Sequence, residues 1–318
     1  MFGALTALTF RLVPDRSNDI EILWFACADL RRGLDPYPLA HTHSIWPLYY
    51  PLPAVLLAFP FSWLSFPVAS TLWVGLIAGI FTYAMAGRGW WALLALGSGA
   101  VIHALANGQL TPLLVAATLI PALGGLLITK PNSGLALFAA YPSRGAVLGG
   151  GVILLVSLIL LPQWPREWLQ VIRDSPHIAS PIMRPYGWIL LLAVVRWRDP
   201  RARLLLALSL IPQNLLPHET VALALIPQNG RQTAIYVVGT WVAVFQVLAF
   251  PALLKTNDLA AMIGTIWPAM LLAVYIPMLW LVLRGHQGNA DDLSGIGVFR
   301  AARKPDSKEA TGIGEHPD

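Results

Sequence analysis

Residues 52–86 read LPAVLLAFPFSWLSFPVASTLWVGLIAGIFTYAMA, a stretch without a charged side chain. A helix needs about 20 mostly apolar residues to cross a membrane, and backbone inside lipid must satisfy its hydrogen bonds within helices. The stretch holds two apolar runs, at about 52–66 and 67–86. Further apolar runs follow at about 90–106, 110–128, 134–142, 145–162, 186–195, 204–227, 233–254 and 259–283. These runs predict an all-α polytopic membrane protein with about 8 to 10 transmembrane helices.

The composition of the whole chain agrees with this class. Of 318 residues, 56% are hydrophobic and 12% are charged, and the mean hydropathy is +0.63. An isoelectric point near 9.6 would favour nucleic-acid binding in a soluble protein, but here the arginines occupy short loops, as membrane orientation requires. We therefore exclude a nucleic-acid partner. Cys27 is the only cysteine, so the chain has no intrachain disulfide and no multi-cysteine metal site.

Several apolar runs are too short to cross a membrane alone, and prolines fall inside or beside them. A proline inside a helix removes a backbone hydrogen bond and clashes with the preceding turn. We therefore expect broken, kinked or re-entrant helices where neighbours or water satisfy the freed carbonyl groups. The prolines concerned are Pro53, Pro60, Pro67, Pro112, Pro121, Pro131, Pro212 and Pro217.

The placement of charge predicts how the chain is organised across the membrane. Four arginines crowd residues 196–203, which predicts a cytoplasmic loop. Counting helices from that loop puts residues 163–185 and the pair His218-Glu219 on the extracytoplasmic side. We expect four parts: a stub of a first transmembrane helix at 1–13, an extracytoplasmic loop at 14–50, the transmembrane bundle at 51–284 and a disordered cytoplasmic tail at 285–318.

Residues 19–33 have the pattern of a short interfacial helix. Asn18 or Asp19 can cap its start, and Gly33 can end it. Its apolar face, directed at lipid or at the bundle, is formed by Ile20, Leu23, Trp24, Cys27 and Leu30. This geometry holds the Asp19 carboxylate at the helix N-terminus and at headgroup depth, where it is a candidate reactive group. The alternative is a plain helix-capping aspartate.

A series of short motifs runs in order from about residue 18 to about residue 228. The motifs are Asp19, Asp35-Pro36-Tyr37, Tyr49-Tyr50-Pro51-Leu52-Pro53, Gly108-Gln109, Lys130-Pro131 and His218-Glu219. Together they resemble the membrane glycosyltransferases of family 87, which are GT-C fold enzymes related to the polyprenyl-phosphate-mannose-dependent mannosyltransferases. The chain departs from that family where the first transmembrane helix is reduced to residues 1–13. It also has Ile20 where an aromatic residue is usual, and Leu52 separates two prolines that are adjacent in relatives.

The resemblance implies a GT-C-like bundle with short interfacial helices. It also implies a multi-pass protein of the bacterial plasma membrane that is active on the extracytoplasmic side. The donor would be a polyprenyl-phosphate sugar, most simply a mannose-like hexose, and the acceptor a lipid or glycan. By its position, Asp19 would be the general base on the acceptor hydroxyl. No tightly bound cofactor is implied.

The chemistry of such a transfer needs a base for the acceptor proton and positive charge for the departing phosphate. Asp19 is the candidate base, with Glu21 and Asp15 less favoured. A single base acting in a direct displacement predicts inversion at the sugar, by analogy with hydrolases. The candidate groups for the donor phosphate are Lys130, Arg184 and His218. Lys130 is alternatively a loop-end cation that sets orientation, and Arg184 a solvated loop charge.

Further polar and aromatic residues are candidates for binding the sugar or the phosphate. Gln109 follows a break between two apolar runs, which predicts exposed backbone lining a cavity, or else a simple capped turn. Glu219 beside His218 would bind the donor phosphate or an acceptor hydroxyl, or would cap a helix. Tyr37, Tyr49 and Tyr50 would stack on a sugar, or would belong to the interfacial aromatic belt.

No metal site is expected. His41 and His43 are two histidines on a proline-rich loop without a third ligand nearby, which rarely suffices to bind a metal ion. Two other classes of function stay open: a non-catalytic membrane scaffold or truncated pseudoenzyme of the same family, and a transporter of lipid or sugar. A transporter predicts paired broken helices in two related halves, and the sequence has no such internal symmetry.

Overall fold

The computed structural model describes residues 19–44, 46–175, 179–213, 216–249 and 259–285. Within these ranges the chain is helical and forms no β-strand, apart from an isolated antiparallel bridge between Ala179 and Gln213. The all-α class is therefore confirmed. The predictions for residues 1–13, Asp15, Asn18 and the tail beyond residue 285 fall outside the described residues.

The α-helices follow one another with short connections. We number them α1 (Asp19–Arg31), α2 (Pro36–His43), α3 (Leu52–Ala58), α4 (Phe66–Ala86), α5 (Gly99–Ala106), α6 (Thr111–Leu119), α7 (Pro131–Ala140), α8 (Arg144–Leu160), α9 (Trp164–Arg173), α10 (Pro200–Leu210), α11 (Gly230–Leu248), α12 (Leu259–Met270) and α13 (Ile276–Arg284). Segments of 3₁₀-helix lie between them, at Phe59–Trp63, Trp90–Gly97, Pro121–Thr129, Pro181–Met183, Gly187–Arg196 and Pro217–Leu225. A π-helical turn, Leu271–Tyr275, joins α12 to α13.

Two of the described helices are long and apolar enough to span a membrane. They are α4 and the continuous segment Ala261–Arg284. Two bent pairs bring the total to four if each pair is one span: α5 with α6, bent by 116°, and α8 with α9, bent by 99°. The structure therefore has helices suited to a membrane. The larger count of about 8 to 10 spans stays a prediction.

The prolines act mainly where helices begin. Pro53, Pro67, Pro112, Pro131 and Pro217 each occupy one of the first two positions of their helical segment. The first turn of a helix has no partner for its N–H groups, so proline fits there without losing a hydrogen bond. The expected breaks in the apolar runs are confirmed, but most of these prolines start a new segment and do not kink an existing one.

The apolar face of α1 packs against the rest of the protein. Of the two predicted surroundings for this face, lipid and the helical bundle, the structure has the bundle. Ile20, Leu23 and Cys27 are almost fully buried. Burying a side chain of the size of Ile or Leu contributes about 2 kcal/mol. The helix ends at Arg31, and Gly33 follows with φ 75° while its N–H donates to the carbonyl oxygen of Leu30. Only glycine adopts this left-handed turn without strain, so the predicted end at Gly33 is confirmed.

One end of the bundle is rich in arginine. Arg196 donates to the carbonyl oxygens of Leu283 and Gly285, which places the loop at 196–203 beside the end of α13. Arg203 donates to the carbonyl oxygen of Ala140, the last residue of α7. The predicted cytoplasmic loop and the start of the tail therefore lie at the same end of the molecule.

Arg88 fixes the end of a 3₁₀-helix that matters for the site. Its guanidinium group donates to the carbonyl oxygens of Ala224, Leu225 and Pro227, each at 3.0 Å. These carbonyls follow or end the segment Pro217–Leu225 and would otherwise lack partners. The opposite end of that segment, which carries His218 and Glu219, is thereby held in place.

Candidate functional site

A cavity of about 300 Å³ lies where α1, α7 and α9 approach one another. Its wall is formed by Asp19, Ile22, Pro47, Tyr49, Tyr50, Pro51, Gln109, Lys130, Pro131, Asn132, Leu135, Trp168, Ile172, Ile211, Pro212, Gln213 and Glu219. The wall contains both polar groups and apolar side chains. Leu135, one of the apolar lining residues, is 58% exposed.

Five polar side chains of the wall are connected to one another by hydrogen bonds and an ion pair: Asp19, Tyr50, Gln109, Lys130 and Glu219. The Tyr50 hydroxyl lies 2.8 Å from Asp19 Oδ2 and 3.1 Å from Gln109 Oε1. Lys130 Nζ donates to the same Gln109 Oε1 at 2.8 Å. Lys130 Nζ also forms an ion pair with Glu219 Oε1 at 3.0 Å. Residues from five separate motifs of the sequence are therefore connected in the structure.

Each proton of the Lys130 ammonium group has an acceptor. These acceptors are Gln109 Oε1, Glu219 Oε1 and Thr111 Oγ1, the last at 3.1 Å. An ammonium group carries three protons, so its donors are fully used in this arrangement. Lys130 and Glu219 are only 7% and 1% exposed, and a charge buried this deeply requires such partners.

Glu219 has partners beyond Lys130. Its Oε2 accepts a hydrogen bond from Ser133 Oγ at 3.2 Å. His218 Nε2 lies 3.6 Å from Glu219 Oε1, and His218 Nδ1 lies 3.1 Å from Nδ1 of His103. The two imidazole rings stack with their centroids 5.2 Å apart. The histidine pair therefore lies behind Glu219, and neither histidine lines the cavity.

The position of Asp19 depends on the break between α5 and α6. The backbone N–H of Asp19 donates to the carbonyl oxygen of Asn107 at 3.2 Å. Gly108 has φ 64°, and a Cβ atom there would lie 2.6 Å from Ile20 Cγ2. The indole of Trp73 donates to the carbonyl oxygen of Gly108 at 2.9 Å. The glycine lets α1 approach the break closely, which brings Asp19 and Gln109 to the same cavity wall.

The segment that carries Tyr49 and Tyr50 is held from behind. Trp168 Nε1 donates to the Tyr49 carbonyl oxygen at 2.9 Å, and the Tyr37 hydroxyl donates to the Tyr50 carbonyl oxygen at 3.1 Å. Asp35 caps α2 by accepting from the backbone N–H of Tyr37 at 3.0 Å. The Asp-Pro-Tyr turn therefore positions the tyrosine pair and does not face the cavity itself.

Burial and the neighbouring polar groups shift the pKa of Asp19 in opposite directions. Burial raises the pKa of Asp19 above 3.8, while the nearby charges of His218 and Lys130 and the hydrogen bond from Tyr50 lower it. The effect of burial is the largest, and the pKa is raised overall. Burial also raises the pKa of Tyr50 well above its ordinary value, so that its hydroxyl keeps its proton. A partly buried carboxylate beside a neutral donor is suited to accept a proton.

The structure thus brings most of the predicted site residues together. Asp19, Tyr49, Tyr50, Gln109, Lys130 and Glu219 line the cavity, and His218 contacts Glu219 from behind. Tyr37 lies one layer further out. Arg184 follows the segment Pro181–Met183 and is not part of the cavity wall.

Some groups of the site are not evident from the sequence. Thr111 and Ser133 bind the two charged partners, yet a hydroxyl residue near a motif carries no distinctive pattern. Trp168 and Asn132 also line the cavity. Among the described residues no group of three metal-binding side chains occurs, and His43 contacts Asp29 with its Nε2 3.0 Å from Asp29 Oδ2.

The cavity and the arginine-rich end lie at opposite ends of two segments, α7 and Pro217–Leu225. Lys130 precedes α7, and Arg203 binds the far end of that helix at Ala140. Glu219 lies in the first turn of Pro217–Leu225, and the far end of that segment is bound by Arg88, on which the charge of Arg201 acts. Helix α7 has 10 residues and is therefore about 15 Å long. The site and the arginine-rich end are thus separated along the axis of the bundle.

Comparison with known proteins gives no relative for this chain: no family model, no curated protein and no solved structure matches it.

Proposed function

We propose that this chain is an integral membrane glycosyltransferase. It moves a hexose, most simply mannose, from a polyprenyl-phosphate donor to a lipid or glycan acceptor, with Asp19 as the general base. The observation that supports this proposal best is the gathering of Asp19, Tyr50, Gln109, Lys130 and Glu219 around one cavity. These residues come from distant motifs, and their convergence on one cavity supports a shared role in chemistry.

The proposed reaction is a direct displacement at the anomeric carbon. Tyr50 binds one oxygen of the Asp19 carboxylate, which leaves the other oxygen to accept the proton of the acceptor hydroxyl. The acceptor oxygen forms a bond to the anomeric carbon as the bond from that carbon to the phosphate oxygen breaks. The phosphate leaves with the electron pair, and the configuration of the sugar is inverted.

Positive charge is required where the phosphate departs. Lys130 is the cation that lines the cavity among the described residues. Its acceptor Thr111 is neutral and the most distant of the three, at 3.1 Å. We propose that the donor phosphate takes the place of the Thr111 hydroxyl while Glu219 and Gln109 keep the ammonium group in position.

The proposed location is the plasma membrane of a bacterium, with a multi-pass GT-C-like bundle of about 8 to 10 spans. The separation of the cavity from the arginine-rich end supports an extracytoplasmic site, because arginine-rich loops stay in the cytoplasm. The exposed Leu135 in the cavity wall supports access for a lipid-linked donor. No tightly bound cofactor or metal takes part in this proposal.

The test is sugar transfer in membranes that contain the chain. The donor is a radiolabelled polyprenyl-phosphate mannose, and the variants are Asp19→Asn and Glu21→Gln. Glu21→Gln is the matched control, because it removes the same charge from the same turn of α1. Glu21 is not part of the cavity wall. We expect transfer by the wild type and by Glu21→Gln, and almost none by Asp19→Asn.

Two outcomes would contradict the proposal in different ways. Equal transfer by wild type and Asp19→Asn rejects Asp19 as the base. Background transfer by all three forms, at equal expression and with several polyprenyl-phosphate sugars, rejects the enzyme and favours a scaffold or a transporter.

A further inference from the structure

We infer that Tyr50 and Gln109 form a hydrogen-bond switch that follows the protonation state of Asp19. The switch rests on the proposed function in one respect, which is that Asp19 gains and loses a proton during turnover. Tyr50 and Gln109 are then positioning residues that act through Asp19.

The switch follows from the number of donors and acceptors at Tyr50. Its hydroxyl carries one proton and lies 2.8 Å from Asp19 Oδ2 and 3.1 Å from Gln109 Oε1. Both of these oxygens accept hydrogen bonds, so they compete for the same proton. Tyr50 is therefore able to satisfy only one of them at a time.

Lys130 determines which atom Gln109 presents. Its ammonium group is only a donor, and it lies 2.8 Å from Gln109 Oε1. A reversed amide would place the Gln109 amino group against the ammonium group, with donors facing donors. The Gln109 oxygen is therefore kept towards Tyr50 as well, and Glu219 and Thr111 hold Lys130 in the position that enforces this.

The two states of Asp19 differ in how strongly they attract the Tyr50 proton. An ionised carboxylate is a much stronger acceptor than an amide oxygen, so Tyr50 donates to Asp19 before the reaction. A protonated carboxyl group is a weak acceptor, so the Tyr50 hydroxyl turns to Gln109 after Asp19 has taken the acceptor proton. Only the direction of one O–H bond changes. The proton of Tyr50 has a partner in both states.

The switch predicts opposite effects for its two residues. Tyr50→Phe removes the bond that favours the carboxylate, so the titration midpoint of Asp19 rises by about 1 pH unit. Gln109→Met removes the competing acceptor, so Tyr50 donates to Asp19 alone and the midpoint falls by about 0.5 pH unit. In the second variant Lys130 keeps Glu219 and Thr111 as partners. A merely structural role would shift both midpoints in the same direction.

The other groups that face Asp19 must stay constant for this comparison. They are His218, Lys130 and Glu219. Tyr50→Phe leaves their contacts in place, and Gln109→Met removes one hydrogen-bond acceptor of Lys130. His218 acts electrostatically on Asp19 and contacts Glu219, so each titration is repeated in the His218→Gln background. The difference between the Tyr50 and Gln109 variants should persist in that background.

The experiment measures the protonation of Asp19 without sugar transfer. The purified full chain in detergent is treated with dicyclohexylcarbodiimide, which reacts with protonated and not with ionised carboxyl groups. Modification at Asp19 is quantified by peptide mass spectrometry from pH 4 to pH 9 for wild type, Tyr50→Phe and Gln109→Met, with Asp19→Asn as the blank. Failure of the proposed transferase activity leaves this measurement unaffected.

The expected result is a midpoint order of Gln109→Met, wild type, Tyr50→Phe, from low to high pH. Equal midpoints, or a shift of both variants in one direction, would overturn the switch. If Gln109→Met does not give a monodisperse protein, Gln109→Leu replaces it. The Tyr50→Phe titration is decisive by itself when its midpoint stays unchanged or falls.

Discussion

The ammonium group of Lys130 lies 3.0 Å from Glu219 Oε1, and both side chains are almost fully buried. We expect Glu219→Gln to leave a buried ammonium group without a counter-charge, which costs about 3 to 5 kcal/mol. Thermal unfolding in detergent should show a large loss of stability. Replacing both residues, as Lys130→Met with Glu219→Gln, should recover much of it because neither position then carries an unpaired charge.

Ser133→Ala is the matched control for this pair. It removes one neutral donor to Glu219 and keeps both charges, so we expect a loss of only about 1 kcal/mol. A loss in Glu219→Gln no larger than the loss in Ser133→Ala would show that the ion pair does not stabilise the fold.

Transfer activity should depend on pH through Asp19. Burial raises the pKa of this carboxyl group above 3.8, against the lowering effects of His218, Lys130 and the Tyr50 hydrogen bond. Because the base must be ionised, the rate should increase with pH through this raised pKa. The acid limb of the pH profile of kcat/KM should therefore lie above pH 3.8.

The same shift predicts the sign of a stability change. A carboxyl group whose pKa is raised by folding binds its proton more tightly in the folded state. Its contribution to stability is complete below pH 3.8 and is lost as the pH rises through the raised value. Asp19→Asn should be relatively more stable than wild type at high pH. An acid limb at or below pH 3.8 would contradict both expectations.

Gly108→Ala should displace the start of α1. The added Cβ would lie 2.6 Å from Ile20 Cγ2, and alanine in the left-handed region costs about 1 to 2 kcal/mol. Displacing a base by about 1 Å lowers a rate by about 100-fold, and we expect a loss of this order. Initial rates of transfer at saturating donor provide the measurement.

Gly75→Ala is the control for this substitution. Gly75 lies inside α4, and a Cβ atom there would have no neighbour within 4 Å. This variant should transfer sugar at the wild-type rate. Equal activity of the two alanine variants would mean that Gly108 does not position Asp19.

Arg184 and Lys130 should differ in their effect on transfer. Lys130 lines the cavity, whereas Arg184 does not. We expect Arg184→Gln to change kcat/KM less than about twofold and Lys130→Gln to lower it by at least tenfold, equivalent to about 1.4 kcal/mol of transition-state stabilisation. Comparable losses in both variants, at equal amounts of folded protein, would place Arg184 at the donor phosphate.

Local features of the fold were predictable from the sequence. Helix α1 was predictable because apolar residues recur at helical spacing between residues 19 and 33. Its end was predictable because Gly33 tolerates a positive φ. The break near Gln109 was predictable from polar residues between two apolar runs. Each of these depends on residues that are close in sequence.

The connections between distant segments were not predictable from spacing. Lys130 and Glu219 were predicted from the motifs as candidates for binding the donor phosphate. Only the folded chain shows that they form an ion pair with each other. The hydrogen bond from Tyr37 to the Tyr50 carbonyl oxygen likewise appears only in the folded chain. Residues 52–66 were predicted as one apolar run. In the structure α3 ends at Ala58, and a 3₁₀-helix continues to Trp63.

The pairing of Lys130 with Glu219 also has a consequence for the synthesis of the chain. Lys130 leaves the ribosome well before Glu219, so in the nascent protein only the neutral oxygens of Gln109 and Thr111 are in contact with its charge, and Asp19 acts on it only from a greater distance. A buried charge with neutral partners alone is unfavourable. We therefore expect helix α7 to gain its final place only when Pro217–Leu225 has been made, and ribosome-bound chains that stop before residue 217 to be preferred targets of quality-control proteases.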